Sequence, residues 1–226
     1  MRRAIILFLC LPLLLLAPLQ ADAKALVVYR HASSKGTPRV ALTFDDGPHP
    51  RYTGEILDIL QEYGVKATFF AVGENAKAYP ELIRRASEEG HEIGNHTHTH
   101  LRLDRCDVAE AEREIGACTR VLEEITGRKI RLFRPPEGVC TEGVKVYCRA
   151  QEMTILLWSV DTRDWAHTPV GEILKNVREN ARNGSIILMH DFIGKNSPTP
   201  AVLRQIIPML QESGYELVTV SQLLEG

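Results

Sequence analysis

Short apolar runs alternate with segments of helical periodicity along the chain. The apolar runs predict buried strands over residues 39–44, 67–72, 91–94, 130–133, 154–160, 185–189 and 216–220. Apolar residues spaced three and four positions apart predict helices over residues 52–63, 79–89, 107–125, 142–150, 170–182 and 200–212. Strands that alternate with helices are typical of a parallel α/β fold. No repeat, linker or low-complexity segment interrupts the pattern, so we expect one domain.

The N-terminal segment has a different pattern. Two arginines precede an uncharged, leucine-rich run over residues 4–19, and the small residues Ala21 and Ala23 follow it. This arrangement predicts a secretory signal over residues 1–23 that is cleaved after Ala23. A retained membrane anchor is the alternative, but the run is shorter than the roughly 20 apolar residues of a spanning helix and contains two prolines. We therefore expect an exported protein, periplasmic or extracellular, consisting of residues 24–226 and without a stable membrane anchor.

The composition is that of a globular protein. The chain has 226 residues, of which 44% are hydrophobic and 25% are charged. Its formal net charge is -2, and its basic residues form no block. We therefore expect neither nucleic acid nor an anionic membrane surface to be a partner. The sequence makes no prediction about oligomeric state.

Polar side chains that could take part in catalysis or ligand binding follow the predicted strands. In parallel α/β folds the carboxyl ends of the strands form the face that binds ligands. We therefore expect these side chains to gather at one face of the fold. They are Asp45, Asp46, His96, His100, Arg134, Asp161, Asp164 and His190.

Three histidines lie within five residues, at His96, His98 and His100. The spacing of the outer two can supply two metal ligands on one side of a turn, although a solvated polar loop explains the cluster equally well. A catalytic zinc site needs a third protein ligand and an open position. Asp46 follows another strand and is a suitable oxygen donor.

Asp45 and His190 are candidates for proton transfer. Asp45 could act as a general base while the adjacent Asp46 carboxylate binds a cation. Arg134 could then form an ion pair with Asp45. Alternatively, the Asp-Asp-Gly-Pro segment could simply form a turn, and Arg134 could be an ordinary surface arginine. A carboxylate from Asp161 or Asp164 would raise the pKa of His190 and fix its tautomer, whereas a simple core histidine is the alternative.

Five segments, in this order, resemble the motifs of the polysaccharide deacetylase family, the NodB-like carbohydrate esterases. The resemblance extends from about residue 39 to residue 223. The segments are Thr-Phe-Asp-Asp-Gly-Pro at 43–48, His-Thr-His-Thr-His at 96–100, Arg-Pro-Pro-Glu-Gly at 134–138, Asp-Thr-Arg-Asp-Trp at 161–165 and Leu-Met-His-Asp at 188–191.

The resemblance implies a distorted (β/α) barrel and metal-dependent removal of N-acetyl groups from an N-acetylglucosamine-containing polymer, such as peptidoglycan or a chitin-type oligomer. It implies a divalent metal, most commonly Zn²⁺, that polarises a water molecule and the acetamide oxygen. The implied metal ligands are Asp46, His96 and His100. The implied catalytic residues are Asp45 as base, His190 as acid, and Arg134, Asp161 and Asp164 as their partners.

The same resemblance implies which residues contact the substrate. It implies an oxyanion contact from the backbone N–H of Glu137 and contacts from Trp165 and Leu188, with a place in the core as the alternative for Trp165. Many family members carry an aromatic residue at the position of Glu137, so this chain departs from the pattern where the substrate is selected. Two other functions remain open, namely a deacetylase or amidase of a small molecule and a non-catalytic carbohydrate-binding protein.

Export would leave four cysteines, and an oxidising compartment favours two disulfides. The third and fourth predicted helices both start at the active face and run away from it. Cys106 and Cys140 then lie near the tops of these helices, and Cys118 and Cys148 lie lower, so we predict the pairs Cys106–Cys140 and Cys118–Cys148. A link between Cys106 and Cys118 would have to bridge roughly 18 Å along one helix, which disulfide geometry excludes.

Overall fold

The computed structural model describes residues 27–32, 36–194 and 196–225. The predicted secretory signal over residues 1–23, with its cleavage after Ala23, lies outside these residues. Within the described residues, no helix combines the length and the apolar character that crossing a membrane requires.

A parallel sheet forms the centre of the fold. Its strands, in the described part of the chain, are β1 (Val27–Val28), β2 (Arg39–Asp45), β3 (Thr68–Ala71), β4 (Glu92–Asn95), β5 (Leu132–Phe133), β6 (Thr154–Leu156), β7 (Val160–Asp161), β8 (Ser185–His190) and β9 (Glu216–Leu217). The strand order is β1-β6-β5-β4-β3-β2-β8-β7, and β9 pairs with β2. Each of these pairs is parallel. The sheet curls into a half-closed form, which confirms the predicted distorted (β/α) barrel.

Helices connect most of the strands and cover the sheet. They are α1 (Tyr52–Glu62), α2 (Gly73–Ala78), α3 (Pro80–Glu88), α4 (Val108–Thr126), α5 (Glu142–Ala150), α6 (Val170–Asn180), α7 (Thr199–Glu212) and α8 (Val220–Glu225). Side chains cap the N-termini of α4, α5 and α8, since Asp107 accepts the N–H of Glu110 at 2.7 Å, Thr141 that of Val144 at 3.4 Å and Thr219 that of Gln222 at 3.4 Å. Such caps satisfy N–H groups that have no partner within the helix.

The core is divided by the alternation of side chains along the strands. Val40, Leu42 and Phe44 of β2 pack in a large cluster with the helices, whereas Ala41 belongs to a smaller cluster. Successive strand residues point to opposite faces, so one strand supplies both clusters. The smaller cluster contains Val28, Ala41, Phe70, Leu132, Leu156, Ile186, Val218, Val220 and Leu223.

Several elements differ from the predicted pattern. The predicted strand over residues 154–160 forms two strands, β6 beside β5 and β7 beside β8. Between them, the N–H of Leu157 binds the carbonyl of Val28 and the N–H of Ser159 binds the carbonyl of Ile186. One apolar run thus connects the two ends of the strand order, because the sheet is curled. Helix α2 was also not predicted, since its polar residues and initial glycine resemble a loop. The predicted strand over residues 216–220 ends at Leu217, and Val220 instead begins helix α8, which was not predicted.

The two predicted disulfides are not formed, since Cys106, Cys118, Cys140 and Cys148 are all free thiols in the structure. The Sγ atom of Cys118 donates to the carbonyl of Ala71 at 3.4 Å, on the sheet side of α4. Burial raises the pKa of Cys118 and of Cys148 to about 12 in both cases. Position along a helix predicts how far a cysteine lies from the active face but not the direction in which its side chain points, so the predicted pairs did not form.

Candidate active site

Asp46, His96 and His100 converge at the carboxyl ends of β2 and β4. One carboxylate oxygen of Asp46 lies 3.3 Å from Nε2 of His96 and 3.1 Å from Nε2 of His100. One potential ligand atom from each residue lies within 4.8 Å of the other two. The sequence prediction that these residues lie together therefore agrees with the geometry.

Backbone groups orient this cluster. Nδ1 of His96 lies 2.7 Å from the carbonyl oxygen of Arg134. Because a carbonyl only accepts hydrogen bonds, Nδ1 carries the proton of the neutral ring, and Nε2 presents its lone pair to the cluster. Nδ2 of Asn75 donates to the carbonyl of Asp46 at 2.7 Å and holds the turn that follows β2.

Three residues of the site have left-handed backbone conformations. The φ angle is 77° at Asp46, 60° at His100 and 55° at Glu137. Residues with a Cβ atom rarely adopt this region, and they do so where the surrounding structure determines the conformation, often at functional sites. The backbone is therefore locally strained at three residues around the site.

The donor set fits a divalent metal. One carboxylate oxygen and two imidazole nitrogens equal the three protein ligands of a catalytic zinc site, which keeps a further position open. The side chain of His100 is 39% exposed, so one side of the cluster faces solvent. His98, the middle histidine, is outside this cluster.

The cluster is also coupled electrostatically. Burial opposes ionisation of Asp46, but the adjacent imidazoles of His100 and His96 outweigh it and hold the pKa of Asp46 well below its ordinary value. The hydrogen bond with Asp46 raises the pKa of His100, against the effect of burial.

Asp45 and Arg134 form a buried ion pair next to the cluster. Nη1 of Arg134 donates to Oδ1 of Asp45 at 2.7 Å and to Oγ1 of Thr43 at 2.8 Å. Arg134 is fully buried, and its other nitrogens donate to the carbonyls of Leu156 and Leu157. Oδ2 of Asp45, the oxygen that Arg134 does not bind, lies 3.9 Å from Nε2 of His96.

His190 ends β8 and contacts Asp164. Nδ1 of His190 lies 2.8 Å from Oδ1 of Asp164, while Oδ2 of Asp164 accepts the backbone N–H of His190 and the hydroxyl of Thr199. Burial alone lowers the pKa of His190, but the hydrogen bond and charge of Asp164 outweigh it, and with Asp45 and Asp46 they raise this pKa to about 9. Of the two carboxylates considered from the sequence, Asp164 is the one that contacts His190. Asp161 instead accepts the N–H of Arg163 at 2.8 Å.

The residues expected on the substrate side lie in different environments. Glu137 is in a short 3-10 turn after β5, with its side chain 55% exposed. Trp165 follows β7 and is 50% exposed, with the Arg163 guanidinium 5.8 Å from its ring centroid. Leu188 is buried within β8, and its carbonyl accepts the hydroxyl of Thr162 at 2.8 Å. Trp165 is therefore available to a ligand, whereas the side chain of Leu188 packs inside the fold.

Four further residues support the site and were not predicted from the sequence. Thr199 begins helix α7, and Asn75 lies in the unpredicted helix α2. Asp191 is buried, accepts the hydroxyl of Thr53 at 2.5 Å, and has its pKa raised to about 7 by burial. Arg102 lies near Glu137. Of these four residues, Asp191 alone had a signal in the sequence, because it directly follows His190.

Comparisons with known proteins agree on a family. Residues 32–156 match the family model described as polysaccharide deacetylase. A peptidoglycan-N-acetylglucosamine deacetylase of Bacillus cereus is 41% identical over 187 residues, which are 82% of this chain and 87% of that protein. A chitooligosaccharide deacetylase of Bradyrhizobium is 38% identical over 200 residues, covering 83% of this chain and 91% of that protein.

Comparison with a solved structure also supports this family relationship. The crystal structure of a peptidoglycan N-acetylglucosamine deacetylase superimposes with a TM-score of 0.85 and 36% sequence identity. The superposition covers 89% of this chain and 94% of the other. The architecture is therefore shared over most of both chains.

Proposed function

The chain belongs to the polysaccharide deacetylase family, and we propose that it hydrolyses N-acetyl groups of an N-acetylglucosamine-containing polysaccharide and releases acetate. Peptidoglycan and chitin-type oligomers are the proposed substrates, since relatives named for both are 38–41% identical to it. The observation that carries the proposal is the convergence of three metal-ligand candidates within 4.8 Å beside the Asp45–Arg134 pair.

The family is metal-dependent, and the proposed ligands in this chain are Asp46, His96 and His100. We propose Zn²⁺ as the metal, because it accepts mixed nitrogen and oxygen donors and keeps an open position in catalytic sites. When bound, such a metal supplies Lewis-acid polarisation and lowers the pKa of a water molecule toward neutrality.

Asp45 is the proposed general base. Its Oδ1 atom is held by Arg134 at 2.7 Å, which leaves Oδ2 to accept a proton from the attacking water. The water oxygen forms a bond to the acetamide carbon as this proton leaves. Since Arg134 has five donors in a fixed fork and is fully buried, it supports one orientation of the Asp45 carboxylate.

His190 is the proposed general acid, and Asp164 is its positioning residue. With Nδ1 held by Asp164, the ring has Nε2 free to donate a proton to the sugar nitrogen as the C–N bond breaks. A pKa of about 9 keeps this imidazole protonated at neutral pH. The products are acetate and a free amino-sugar unit.

The backbone N–H of Glu137 is the proposed donor to the oxygen that gains negative charge. A backbone donor fixed by a left-handed turn costs little reorganisation as charge develops. Trp165 is the proposed contact for the sugar ring, because half of its surface is open to solvent. Leu188 would contribute by fixing the end of β8 that carries His190.

Export is the proposed location, since the proposed substrates lie outside the cytoplasm. The segment that carries this proposal is the predicted signal over residues 1–23. N-terminal sequencing of protein recovered from outside the cytoplasm should begin at Lys24. Recovery of the same protein with the leucine-rich run intact would contradict cleavage.

Acetate release tests the proposed function. The purified protein should release acetate from chitin oligomers or peptidoglycan, lose this activity in a chelator, and recover it when Zn²⁺ is added. Release only from a small N-acetyl amine would indicate a small-molecule amidase. Absence of release from every substrate, with metal bound, would favour a carbohydrate-binding protein without catalysis.

A further inference from the structure

Arg102 and Glu137 join two loops at the rim of the site. Nη1 of Arg102 donates to Oε2 of Glu137 at 2.8 Å. The same guanidinium donates from Nε and Nη2 to the two oxygens of Asp104, at 2.8 and 3.2 Å. The loop after His100 is anchored by Leu103, which is buried. The turn after β5 is therefore held to the loop that carries a proposed metal ligand.

The position of Glu137 is fixed by its backbone. Its φ angle is 55°, and a Cβ atom on Gly138 would meet the ring of Trp158 at 3.0 Å. The same residue presents the N–H proposed to bind the substrate oxygen.

The hydrogen bonds leave one acceptor free. Arg102 occupies Oε2 of Glu137, while Oε1 has no hydrogen-bond partner among the residues that the structure describes. Both oxygens of Asp104 are bound by Arg102. Two carboxylates thus surround one guanidinium, so the group has a net charge of about -1 at neutral pH.

We propose that Glu137, held in place by Arg102, determines specificity by excluding sugar units that carry a carboxylate near the reacting acetamide. This inference rests on the proposed deacetylase function and adds a substrate class to it. A neutral N-acetylglucosamine unit can donate a hydroxyl to Oε1, whereas an N-acetylmuramic-type unit brings a lactyl carboxylate toward a like charge. Like charges a few ångströms apart at a partly exposed site repel each other measurably.

A matched substrate pair separates charge from bulk. One oligomer alternates N-acetylglucosamine with N-acetylmuramic units that have free lactyl carboxylates, and the other has these carboxylates converted to primary amides. The ratio of kcat/KM for the amide to that for the acid is measured with the metal-loaded protein. We expect a ratio of about five or more, which falls as salt screens the repulsion.

Two variants should change this ratio of kcat/KM values in opposite directions. Glu137→Gln keeps the backbone N–H and should bring the ratio toward one. Arg102→Gln leaves the Glu137 charge unpaired and should increase it. Glu142→Gln is the control, because Glu142 is an exposed glutamate paired with Lys145 in the first turn of α5.

The outcomes distinguish this inference from the function on which it rests. An unchanged ratio in Glu137→Gln, with acetate still released, would overturn the specificity role and leave the deacetylase function intact. A ratio near one in the unaltered protein would overturn it as well. Failure to release acetate from either oligomer or from chitin oligomers would instead contradict the proposed function.

Discussion

Asp164 holds His190 at two points. Its Oδ2 atom accepts the backbone N–H of His190 at 2.8 Å, and its Oδ1 atom lies 2.8 Å from the ring nitrogen Nδ1. Asp164 is fully buried, and Thr199 donates to it at 2.7 Å. The carboxylate therefore fixes both the end of β8 and the orientation of the imidazole.

Replacement of Asp164 with Asn should change the pH dependence of catalysis. A general acid must be protonated, so kcat/KM falls as pH rises through the pKa of His190. Asp164 raises this pKa, and its neutral replacement lowers it. The alkaline limb of the pH profile should therefore move to lower pH by about one unit.

Asp161→Asn is the control for this experiment, because Asp161 lies in the same motif but does not contact His190. Its alkaline limb should coincide with that of the unaltered protein. A shift in Asp161→Asn with none in Asp164→Asn would reverse the assignment.

Much of the fold could be predicted from the sequence. The helix at Glu142–Ala150 has the predicted bounds, and the strand at Arg39–Asp45 differs from its prediction by one residue. These segments have strong periodicity and clear caps or turns. The order of strands and helices was therefore sufficient to predict a parallel sheet with its polar residues at one face.

Other features depend on distant contacts that sequence patterns do not contain. The apolar run at 154–160 divides because Val28 and Ile186 bind its middle from two different strands. The choice of Asp164 over Asp161 depends on which carboxylate the turn after β7 directs toward His190. Likewise, the cysteine prediction failed because helix periodicity does not reveal which neighbours a side chain faces.

Removal of a proposed ligand should weaken metal binding. His100→Ala should lower the affinity for Zn²⁺ by more than about 100-fold, since loss of a residue that merely orients a ligand already costs 10- to 100-fold. His98→Asn is the matched control, because this histidine lies outside the ligand cluster. Isothermal titration calorimetry measures both. Equal affinities of the two variants would exclude His100 as a ligand.

The buried Asp45–Arg134 pair should contribute strongly to stability. Arg134→Gln leaves a buried carboxylate without its cation and should destabilise the fold by about 3 kcal/mol. Adding Asp45→Asn removes that unpaired charge, so the double variant should be more stable than the sum of the single changes by about 1 kcal/mol or more. Urea unfolding of the four proteins gives this coupling energy. Additive effects would mean that the two groups do not interact.

Asp191 should make the metal-free protein less stable as pH rises. Its pKa is raised from an ordinary 3.8 to about 7 in the folded state, so the folded protein retains a proton that the unfolded chain has lost. Stability is therefore greatest below about pH 4 for this group and is lost as pH rises to about 7. Relative to Asp191→Asn, the unaltered protein should lose about 2 kcal/mol between about pH 5 and pH 8.

Urea unfolding in the presence of chelator measures this difference. Asp58→Asn serves as the control, because Asp58 is exposed and forms a surface ion pair with Arg85. Parallel stability curves for Asp191→Asn and the unaltered protein would show that the buried carboxyl does not retain its proton.

The most direct test of the proposed mechanism is acetate release by Asp45→Asn, measured together with its metal content. Asp45 is proposed to take the proton of water but not to bind the metal. The variant should therefore retain the metal stoichiometry of the unaltered protein while kcat/KM for acetate release falls by about 10²- to 10⁴-fold. Near-normal acetate release by a fully metal-loaded Asp45→Asn protein would contradict the assignment of Asp45 as the base.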